Sequence, residues 1–327
     1  MTKKINVFIT GVSGFIAQKI VERFSERDDI GSIIGIDIVE PPCYSDRITF
    51  IKHDVRDDMA PVMSRFDIDW AVHTAFVVSV LHDKGLMEDI DINGTKNFLN
   101  ACGKLKIKHV VQLSSTTAYG SHVDNPPLLT EECELRGNKG FTYGESKSKL
   151  ELTVVREFRE KHPDVYFSIV RPCFVCGPHF YKNPLGRHLM KKVVVLPSDT
   201  KPFQFVHEDD VADSIYFILK NKHRGAFNLA GDGTMTFQEM IAMTRGIHVP
   251  IPPALMYPLN NLSWYLRFTF ITEFPSLAMV LVRHPWIADN ARIKKAGYKF
   301  KYTMRETYKT FAEQVRNYRT RGKDRAF

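Results

Sequence analysis

The residues best suited to chemistry are Tyr143 and Lys147, in the stretch Tyr-Gly-Glu-Ser-Lys. Four residues apart on a helix, their side chains would lie on one face, one above the other. A phenol has a pKa of about 10 and is a poor base at neutral pH. A lysine cation beside it stabilises the phenolate and lowers that pKa towards the range useful for proton transfer. The pair therefore indicates acid–base chemistry.

The same spacing recurs at Tyr216 and Lys220, on another predicted helix. Spacing alone does not distinguish a catalytic pair from two residues on a solvated helix face. We interpret the Tyr216 pair as structural, because the elements upstream of Tyr143 give that pair a chemical context.

A strand–turn–helix pattern opens the chain. Residues 5–10 form a β-branched run that ends at Gly11 and Gly14, and apolar residues then recur at helical spacing. Glycines let the backbone approach a pyrophosphate, which binds at the N-terminus of the helix. Ala17 takes the third small position, which this fingerprint tolerates. The segment predicts a dinucleotide-binding turn.

A second predicted strand, residues 33–38, contains Asp37 near its end, twenty-three residues after Gly14. An acid at this position accepts hydrogen bonds from the adenosine ribose and repels a 2′-phosphate. We therefore expect NAD rather than NADP as the cofactor.

Strand-like and helix-like segments then alternate, which predicts an α/β fold with a Rossmann-type doubly wound parallel sheet. The predicted strands are 48–51, 70–80, 110–114 and 165–170, and the predicted helices are 85–102 and 143–161. Ligands of such sheets gather beyond the carboxyl ends of the strands. Ser115 follows the strand at 110–114, so we expect it to share a site with Tyr143 and Lys147.

The composition is that of an ordinary globular protein of 327 residues, long enough for one large domain or two joined ones. Five scattered cysteines, an odd number, argue against a disulfide framework and for a reducing compartment, the cytoplasm. Cys173 and Cys176 form a lone C-x-x-C in an apolar run, and we interpret both as core residues. No metal site is predicted.

The net charge of +8 is concentrated in residues 291–327, where twelve Lys or Arg stand against three acids. We interpret this segment as a solvated basic tail rather than a nucleic-acid-binding one. No uninterrupted apolar run approaches the roughly 20 residues that a membrane-spanning helix needs. Glycines interrupt the first apolar run, so we expect no signal peptide.

Together these motifs resemble the extended short-chain dehydrogenases/reductases, the group that includes the NAD-dependent sugar epimerases and dehydratases. The resemblance extends over about residues 5–302. Further motifs that carry it are Asp54-Val55, Gly94-Thr95-Lys96-Asn97, residues 114–120, Arg171-Pro172, Gly177-Pro178 and residues 205–212.

The resemblance implies a catalytic trio. Ser115 would polarise the reacting carbonyl or hydroxyl, Tyr143 would move its proton, and Lys147 would bind the nicotinamide ribose and lower the pKa of Tyr143. Hydride would pass between a substrate carbon and the nicotinamide. The implied NAD contacts are Gly11, Ser13, Gly14, Phe15, Ile16, Asp37, Ile38, Asp54, Val55, Thr74, Ala75, Phe76, Tyr143, Lys147, Pro172 and Cys173.

The sequence departs from the patterns of this group at several positions. Thr116 and Thr117 replace the Asp-Glu pair of the 4,6-dehydratases, which disfavours the expulsion of water. Phe174 and Phe203 stand where sugar-nucleotide epimerases have asparagine and arginine, so two donors to a substrate diphosphate are absent. Asp91 stands where asparagine is usual. The residues expected to face the substrate are Val78, Thr117, Phe174 and Arg292.

We expect a larger NAD-binding domain and a smaller, mostly C-terminal substrate-binding one. The predicted parts are 1–180 with a returning segment at about 203–231 for the first, 181–202 and 232–300 for the second, and 301–327 for a C-terminal helix and basic tail. Residues 250–286 are crowded with apolar side chains. Four interpretations of this segment stay open: a buried core, a lid over a hydrophobic substrate, a subunit contact or a peripheral membrane contact.

The sequence therefore predicts an NAD-dependent oxidoreductase or epimerase that acts at a secondary alcohol or ketone of a small-molecule substrate. The alternatives are a sugar-nucleotide epimerase of the UDP-hexose type and a non-catalytic NAD-sensing protein. The resemblance also implies a homodimer.

Overall fold

The computed structural model describes residues 3–41, 47–78, 83–268, 272 and 276–321. The strands are β1 (Ile5–Thr10), β2 (Ile30–Asp37), β3 (Ile48–Lys52), β4 (Trp70–His73), β5 (His109–Leu113), β6 (Tyr166–Pro172), β7 (Phe174–Cys176), β8 (Val193–Pro197), β9 (Phe205–His207), β10 (Gly225–Leu229) and β11 (Ile247–Ile251).

The helices are α1 (Phe15–Ser25), α2 (Ala60–Met63), α3 (Lys84–Glu88), α4 (Gly94–Lys104), α5 (Thr142–Leu150), α6 (Arg156–Lys161), α7 (Pro184–Leu189), α8 (Glu208–Lys220), α9 (Phe237–Met243), α10 (Pro253–Tyr265), α11 (Val280–Arg283), α12 (Ala291–Lys295) and α13 (Met304–Arg321). Two π-helical segments, Asp89–Asn93 and Glu151–Val155, join α3 to α4 and α5 to α6.

Seven parallel strands form the central sheet, in the order β10-β6-β5-β4-β1-β2-β3. This order confirms the predicted Rossmann-type doubly wound sheet. The strand order reverses between β1 and β4, and such a switch point opens a ligand crevice at the carboxyl ends of the strands.

Both faces of the sheet are covered by helices, which explains why its strands are almost continuously apolar. Val7 and Ile9 of β1 belong to the apolar cluster that includes α1 and α8. Phe8, which points to the opposite face, belongs to the cluster that includes Phe98 of α4 and Phe158 of α6.

The segment predicted to return to the first domain contributes β10, the last strand of the central sheet, which pairs with β6. Two small parallel sheets, β7-β9 and β8-β11, lie outside the central sheet. A third apolar cluster there includes Phe180, Phe203, Trp286 and Tyr308. The predicted C-terminal helix is present as α13, and residues 322–327 of the predicted basic tail lie outside the described residues.

The predicted strand at 70–80 is much shorter in the structure, because β4 ends at His73. The Thr74 hydroxyl donates to the Thr10 carbonyl oxygen at 2.6 Å, and His73 Nδ1 lies 2.7 Å from Thr10 Oγ1. These contacts tie the chain to the end of β1, and residues 74–78 continue as a loop. Residues 79 and 80 lie outside the described residues.

The thiols of Cys102, Cys133, Cys173 and Cys176 are free, and Cys173 and Cys176 are buried as predicted. Cys43 lies outside the described residues. Within the described ranges, no helix is long and apolar enough to cross a bilayer, and no cluster of side chains could hold a metal ion.

Candidate active site

A cavity of about 840 Å³ runs from the glycine turn after β1 to helix α10. Its walls are mostly apolar. The predicted site residues that line it are Gly14, Phe15, Ile16, Thr74, Phe76, Val78, Ser115, Thr117, Tyr143, Pro172, Cys173 and Phe174. The predicted site residues that are not part of its lining are Gly11, Ser13, Asp37, Ile38, Asp54, Val55, Ala75, Lys147 and Arg292.

The glycine turn is shaped for a ligand that approaches the backbone closely. Gly11 has a φ of 68°, and a Cβ on it would lie 2.6 Å from the Cα of Ala75. Gly14 is the N-cap of α1, whose first turn has neither a side-chain cap nor an acidic residue. The first backbone N–H groups of α1 therefore face the cavity without an internal acceptor, which suits the pyrophosphate of a dinucleotide.

Asp37 lies beside this turn, at the end of β2. Its carboxylate accepts hydrogen bonds from the backbone N–H groups of Ser13 at 3.0 Å and Val39 at 3.1 Å. These bonds fix the acid next to the turn that would hold the pyrophosphate, where the ribose of a dinucleotide is expected. Ile38, the next residue, is 56% exposed.

The loop after β3 contains Asp54 and Val55, the predicted adenine contacts. Arg56 Nη2 donates to the Asp54 carboxylate at 2.7 Å, and the hydrogen bonds from Arg56 are the main reason that the pKa of Asp54 is lowered. Val55 packs on Gly94, where a Cβ would lie only 2.6 Å from Val55 Cγ2. Asn97 Nδ2 donates to the Val55 carbonyl oxygen at 3.1 Å. The Gly94–Asn97 motif thus holds this loop in place.

Tyr143 lies in the first turn of α5, between the rings of Phe76 and Phe141, with ring centroids 5.4 and 6.2 Å away. Burial raises the pKa of Tyr143 well above its usual value, and a hydrogen bond with the Ser115 hydroxyl opposes that shift. Ser115 Oγ also accepts from the backbone N–H of Thr117 at 3.1 Å. Burial is the main influence on the Tyr143 pKa in the protein alone. The lowering of this pKa by Lys147 stays a prediction.

Lys147 is buried below Tyr143. Its ammonium donates to the Leu113 carbonyl oxygen at 2.8 Å and lies 3.4 Å from the centroid of the Phe76 ring, a cation–π contact. The distance from Nζ to the centroid of the Tyr143 ring is 5.7 Å. Burial lowers the pKa of Lys147.

Asp91, in the first π-helical segment, is a buried carboxylate behind these residues. The backbone N–H of Val77 donates to its Oδ1 at 2.8 Å, and its Oδ2 has no partner in the described part of the chain. Burial raises the pKa of Asp91, and attraction to Lys147 opposes the shift. The signal in the sequence for this buried carboxylate was the aspartate at a position where asparagine is usual.

A second buried network was not predicted. Arg171 Nη2 and Glu151 Oε2 are 2.6 Å apart, the Ser114 hydroxyl donates to Glu151 Oε1 at 2.5 Å, and Arg171 Nη1 donates to the Tyr119 hydroxyl at 2.7 Å. This network fixes the loop after β5, and with it Ser115, to β6. Arg171 belongs to a motif of the sequence, but no spacing pointed to Glu151 as its partner.

The substrate side of the cavity is aromatic. Phe174 lines it, and its ring centroid is 5.0 Å from that of Phe203 and 5.8 Å from that of Trp286. Phe203 is buried behind Phe174. The Thr117 hydroxyl is buried at the cavity and has no hydrogen-bond partner among the residues described, so it is available to a ligand.

Arg292 does not reach this cavity. Its guanidinium forms ion pairs with Glu131, at 3.5 Å, and with Glu132. The expectation that Arg292 faces the substrate is not met, because these two carboxylates hold it elsewhere.

The remaining wall comes from the part of the chain after residue 180 and was not predicted residue by residue. It includes Lys182, Leu185, Lys191, Val195, Leu196, Met256 and Leu259. The apolar character of residues 250–286 was evident from the sequence, but which of these residues line the cavity was not.

The sheet and the glycine turn define a Rossmann-type dinucleotide-binding protein. A family model described as "NAD dependent epimerase/dehydratase family" matches residues 7–230, and the chain belongs to this family. NAD is its cofactor, and several structures with this fold contain bound NAD.

The chain is similar to several known proteins at low identity. An uncharacterized protein of Mycobacterium bovis is 24% identical over 314 residues, 92% of this chain and 82% of that protein. The N-acetyl-α-D-glucosaminyl-diphospho-ditrans,octacis-undecaprenol 4-epimerase of Escherichia coli O157:H7 is 26% identical over 278 residues, 80% of this chain and 78% of that one.

Among solved structures, the UDP-N-acetylglucosamine 4-epimerase of Methanobrevibacter ruminantium has a TM-score of 0.76. It is 18% identical, and the match covers 98% of this chain and 100% of that one. At this identity the similarity shows the fold.

Proposed function

We propose that the protein catalyses NAD-dependent hydride transfer at a secondary alcohol or ketone carbon of a largely apolar compound. The observation that carries this proposal is one cavity that joins three features: the dinucleotide turn, the Ser115 and Tyr143 side chains side by side in its lining, and a wall that is mostly apolar.

The residues have separate tasks in this proposal. Bound NAD supplies the hydride acceptor or donor and, when oxidised, a positive charge on its ring. Ser115 and Tyr143 hydrogen-bond the reacting oxygen, and Tyr143 accepts its proton during oxidation. The phenol stays protonated in the protein alone, and positive charge nearby would lower its pKa. Lys147 holds the ribose and adds to that positive charge.

The aromatic wall favours an apolar substrate over an ordinary UDP-hexose. Phe174 and the buried Phe203 stand where two donors to a diphosphate would be, and Arg292 is held by two carboxylates. Each charge-assisted hydrogen bond lost would cost roughly 1.5–3 kcal/mol. Two of them correspond to a loss of affinity on the order of a hundredfold to ten-thousandfold. The unpaired Thr117 hydroxyl would bind a single polar group of the substrate.

A second candidate is epimerisation of a diphosphate-linked sugar. It is supported by the Escherichia coli relative, whose name gives a lipid-linked sugar as its substrate, and by Lys182 and Lys191 in the cavity wall. The presence of Ser115, Tyr143 and Lys147 makes a non-catalytic NAD sensor the weakest candidate.

Calorimetric titration of the NAD-loaded protein tests the choice of substrate. UDP, UDP-glucose and UDP-galactose should not bind at micromolar concentration, whereas long-chain secondary alcohols should bind and be oxidised, with NADH formed. Micromolar binding of a UDP-sugar, or interconversion of its epimers without net NADH, would reject the first candidate in favour of the second. Size-exclusion chromatography with light scattering tests the expected homodimer.

Cofactor choice is tested at Asp37. The wild-type protein should bind NAD more tightly than NADP, because the carboxylate repels a 2′-phosphate. Asp37→Ser should weaken NAD binding by about tenfold, because one to two hydrogen bonds are lost. It should also reduce the difference between the affinities for NAD and NADP. Equal affinities in the wild-type protein would contradict the assignment of Asp37.

A further inference from the structure

Helix α10 exposes an apolar stripe to solvent. Leu255, Leu259, Leu262 and Leu266 follow each other at spacings of four, three and four residues, so they lie along one face. They are 58%, 57%, 56% and 48% exposed. Tyr265 is also exposed, and no charged residue occurs within α10. Soluble proteins rarely leave so contiguous an apolar surface without a partner.

The same helix forms a wall of the active-site cavity. Met256, Leu259, Asn260 and Ser263 line the cavity from an adjacent face of α10. Leu259 belongs to both surfaces, because it lines the cavity and is more than half exposed. The apolar stripe is therefore continuous with the space that holds Tyr143, and one helix separates that space from solvent.

Basic residues share the cavity wall with α10. Lys182, Lys191 and Lys192 are exposed, and two of them, Lys182 and Lys191, also line the cavity. None of the three is ion-paired with a carboxylate of the described residues. Residues 178–198 and 240–268, which supply these lysines and α10, contain no Asp or Glu. An apolar helix face with basic residues beside it has the chemistry that binds anionic lipid surfaces.

We propose that α10 docks on an anionic lipid bilayer and gives the cavity access to a substrate dissolved in the membrane. The leucine stripe enters the interfacial region, and Lys182, Lys191 and Lys192 contact anionic headgroups. The helix lies in the plane of the surface, consistent with the lack of a spanning helix in the described ranges. The docking rests on the surface alone, whereas delivery of a lipid-soluble alcohol also rests on the proposed function.

Vesicle sedimentation with the full chain tests the docking. Wild-type protein should sediment with vesicles of phosphatidylcholine and phosphatidylglycerol, and less with phosphatidylcholine alone or at high salt. Leu255→Ser/Leu262→Ser should reduce partitioning at least about tenfold. Its matched control is Val123→Ser/Leu152→Ser, which changes two exposed apolar residues outside the stripe and should leave partitioning within about twofold.

Charge reversal provides a second set of variants. Lys191→Glu/Lys192→Glu should weaken binding to the anionic vesicles by roughly tenfold or more, whereas Lys4→Glu/Lys299→Glu, with the same change of net charge, should not.

Two results would overturn the docking proposal. One is a wild-type protein that does not sediment with anionic vesicles. The other is a dimer in lipid-free buffer that the Leu255→Ser/Leu262→Ser variant dissociates, since the stripe would then be a contact between two copies of the chain. Oxidation of a water-soluble secondary alcohol is measured separately. Docking without such turnover would contradict the proposed function, and turnover without docking would contradict only this inference.

Discussion

The chain contains two tyrosine–lysine pairs with the same spacing and different surroundings. Tyr216 and Lys220 both contact Asp29, the phenol at 2.7 and 2.9 Å from its two oxygens. Lys220 is 47% exposed at its side chain. Lys147 is 1% exposed, and no carboxylate lies within ion-pair distance of it among the described residues. One pair joins α8 to the turn before β2, and the other lies beside an open cavity.

The pKa of both tyrosines is raised, for different reasons. Burial raises the pKa of Tyr216 to about 12, and the neighbouring Asp29 carboxylate adds to the shift. For Tyr143 burial is also the main cause, the neutral Ser115 hydroxyl beside it acts in the opposite direction, and the charge of Asp91 adds a smaller upward shift. A fixed anion keeps a phenol protonated, whereas a neutral donor leaves it responsive to added positive charge. The partner, rather than the spacing, separates the catalytic candidate from the structural pair.

The largest expected difference between the pairs is in turnover. Tyr143→Phe should lower the rate of hydride transfer by on the order of 10²–10⁴, because it removes the proton-transfer group. Tyr216→Phe should change the rate less than about twofold. The measurement is NADH formation with a secondary alcohol that the wild-type protein oxidises, together with NAD affinity, which both variants should retain. Loss of activity in Tyr216→Phe alone would reverse the assignment.

Cofactor affinity should distinguish the two lysines. Lys147→Met should weaken NAD binding by roughly 10- to 100-fold, the equivalent of one charge-assisted hydrogen bond. Lys220→Met should bind NAD like the wild-type protein, since its ammonium contacts Asp29 at the amino end of β2, and neither residue lines the cavity. Calorimetric titration with NAD measures both, and equal affinities would remove Lys147 from the proposed cofactor contacts.

The buried surroundings of the first pair should also make stability depend on pH. His73, between Thr10 and Thr95, is fully buried, and burial lowers its pKa to about 3. Since the folded pKa is depressed, the stabilisation is complete above the unfolded pKa of about 6.5. It is lost as pH falls towards 3, by roughly 2 kcal/mol between pH 6.5 and 5. Urea unfolding at several pH values should show this dependence of the free energy of unfolding on pH in the wild-type protein and a weaker one in His73→Gln. Equal dependence in both proteins would contradict the role given to His73.

The smallest effect is expected at the structural pair itself. Asp29→Asn removes an exposed ion pair and weakens one hydrogen bond, so the free energy of unfolding should fall by less than about 1 kcal/mol. Turnover and NAD affinity should stay unchanged. A fall of several kcal/mol in the free energy of unfolding, measured with urea, would mean that the contacts of Asp29 stabilise the fold more than their exposure indicates.

Local pattern was sufficient for the cofactor half of the molecule. The predicted bounds of β1 are those of the structure, and the helix predicted from Phe15 onward is α1. The alternation of apolar runs with helical patterns also predicted the sheet. Strands of a parallel sheet that are covered on both faces must be almost continuously apolar. The role of Asp37 was predicted from its spacing after Gly14, because both residues lie in one contiguous stretch of strands, turn and helix.

Contacts between residues that are far apart in the sequence could not be predicted from short sequence patterns. Arg292 forms ion pairs with Glu131 and Glu132, which precede it by 161 and 160 positions. Nothing in the sequence around Arg292 indicated these partners. The end of β4 at His73 depends on Thr10, on a neighbouring strand. The pKa of Tyr143 depends on burial, which residue spacing does not specify.

The two π-helical segments determine which faces of the adjoining helices are turned towards the sheet. A π turn accommodates more residues than an α turn, so each segment changes the phase of the helix that contains it. Asp91 and Glu151 both lie in such segments and both point inward. A regular α-helix over either stretch would be one residue shorter. Removing one residue from either segment would rotate α4 or α6 by about 100° relative to the sheet.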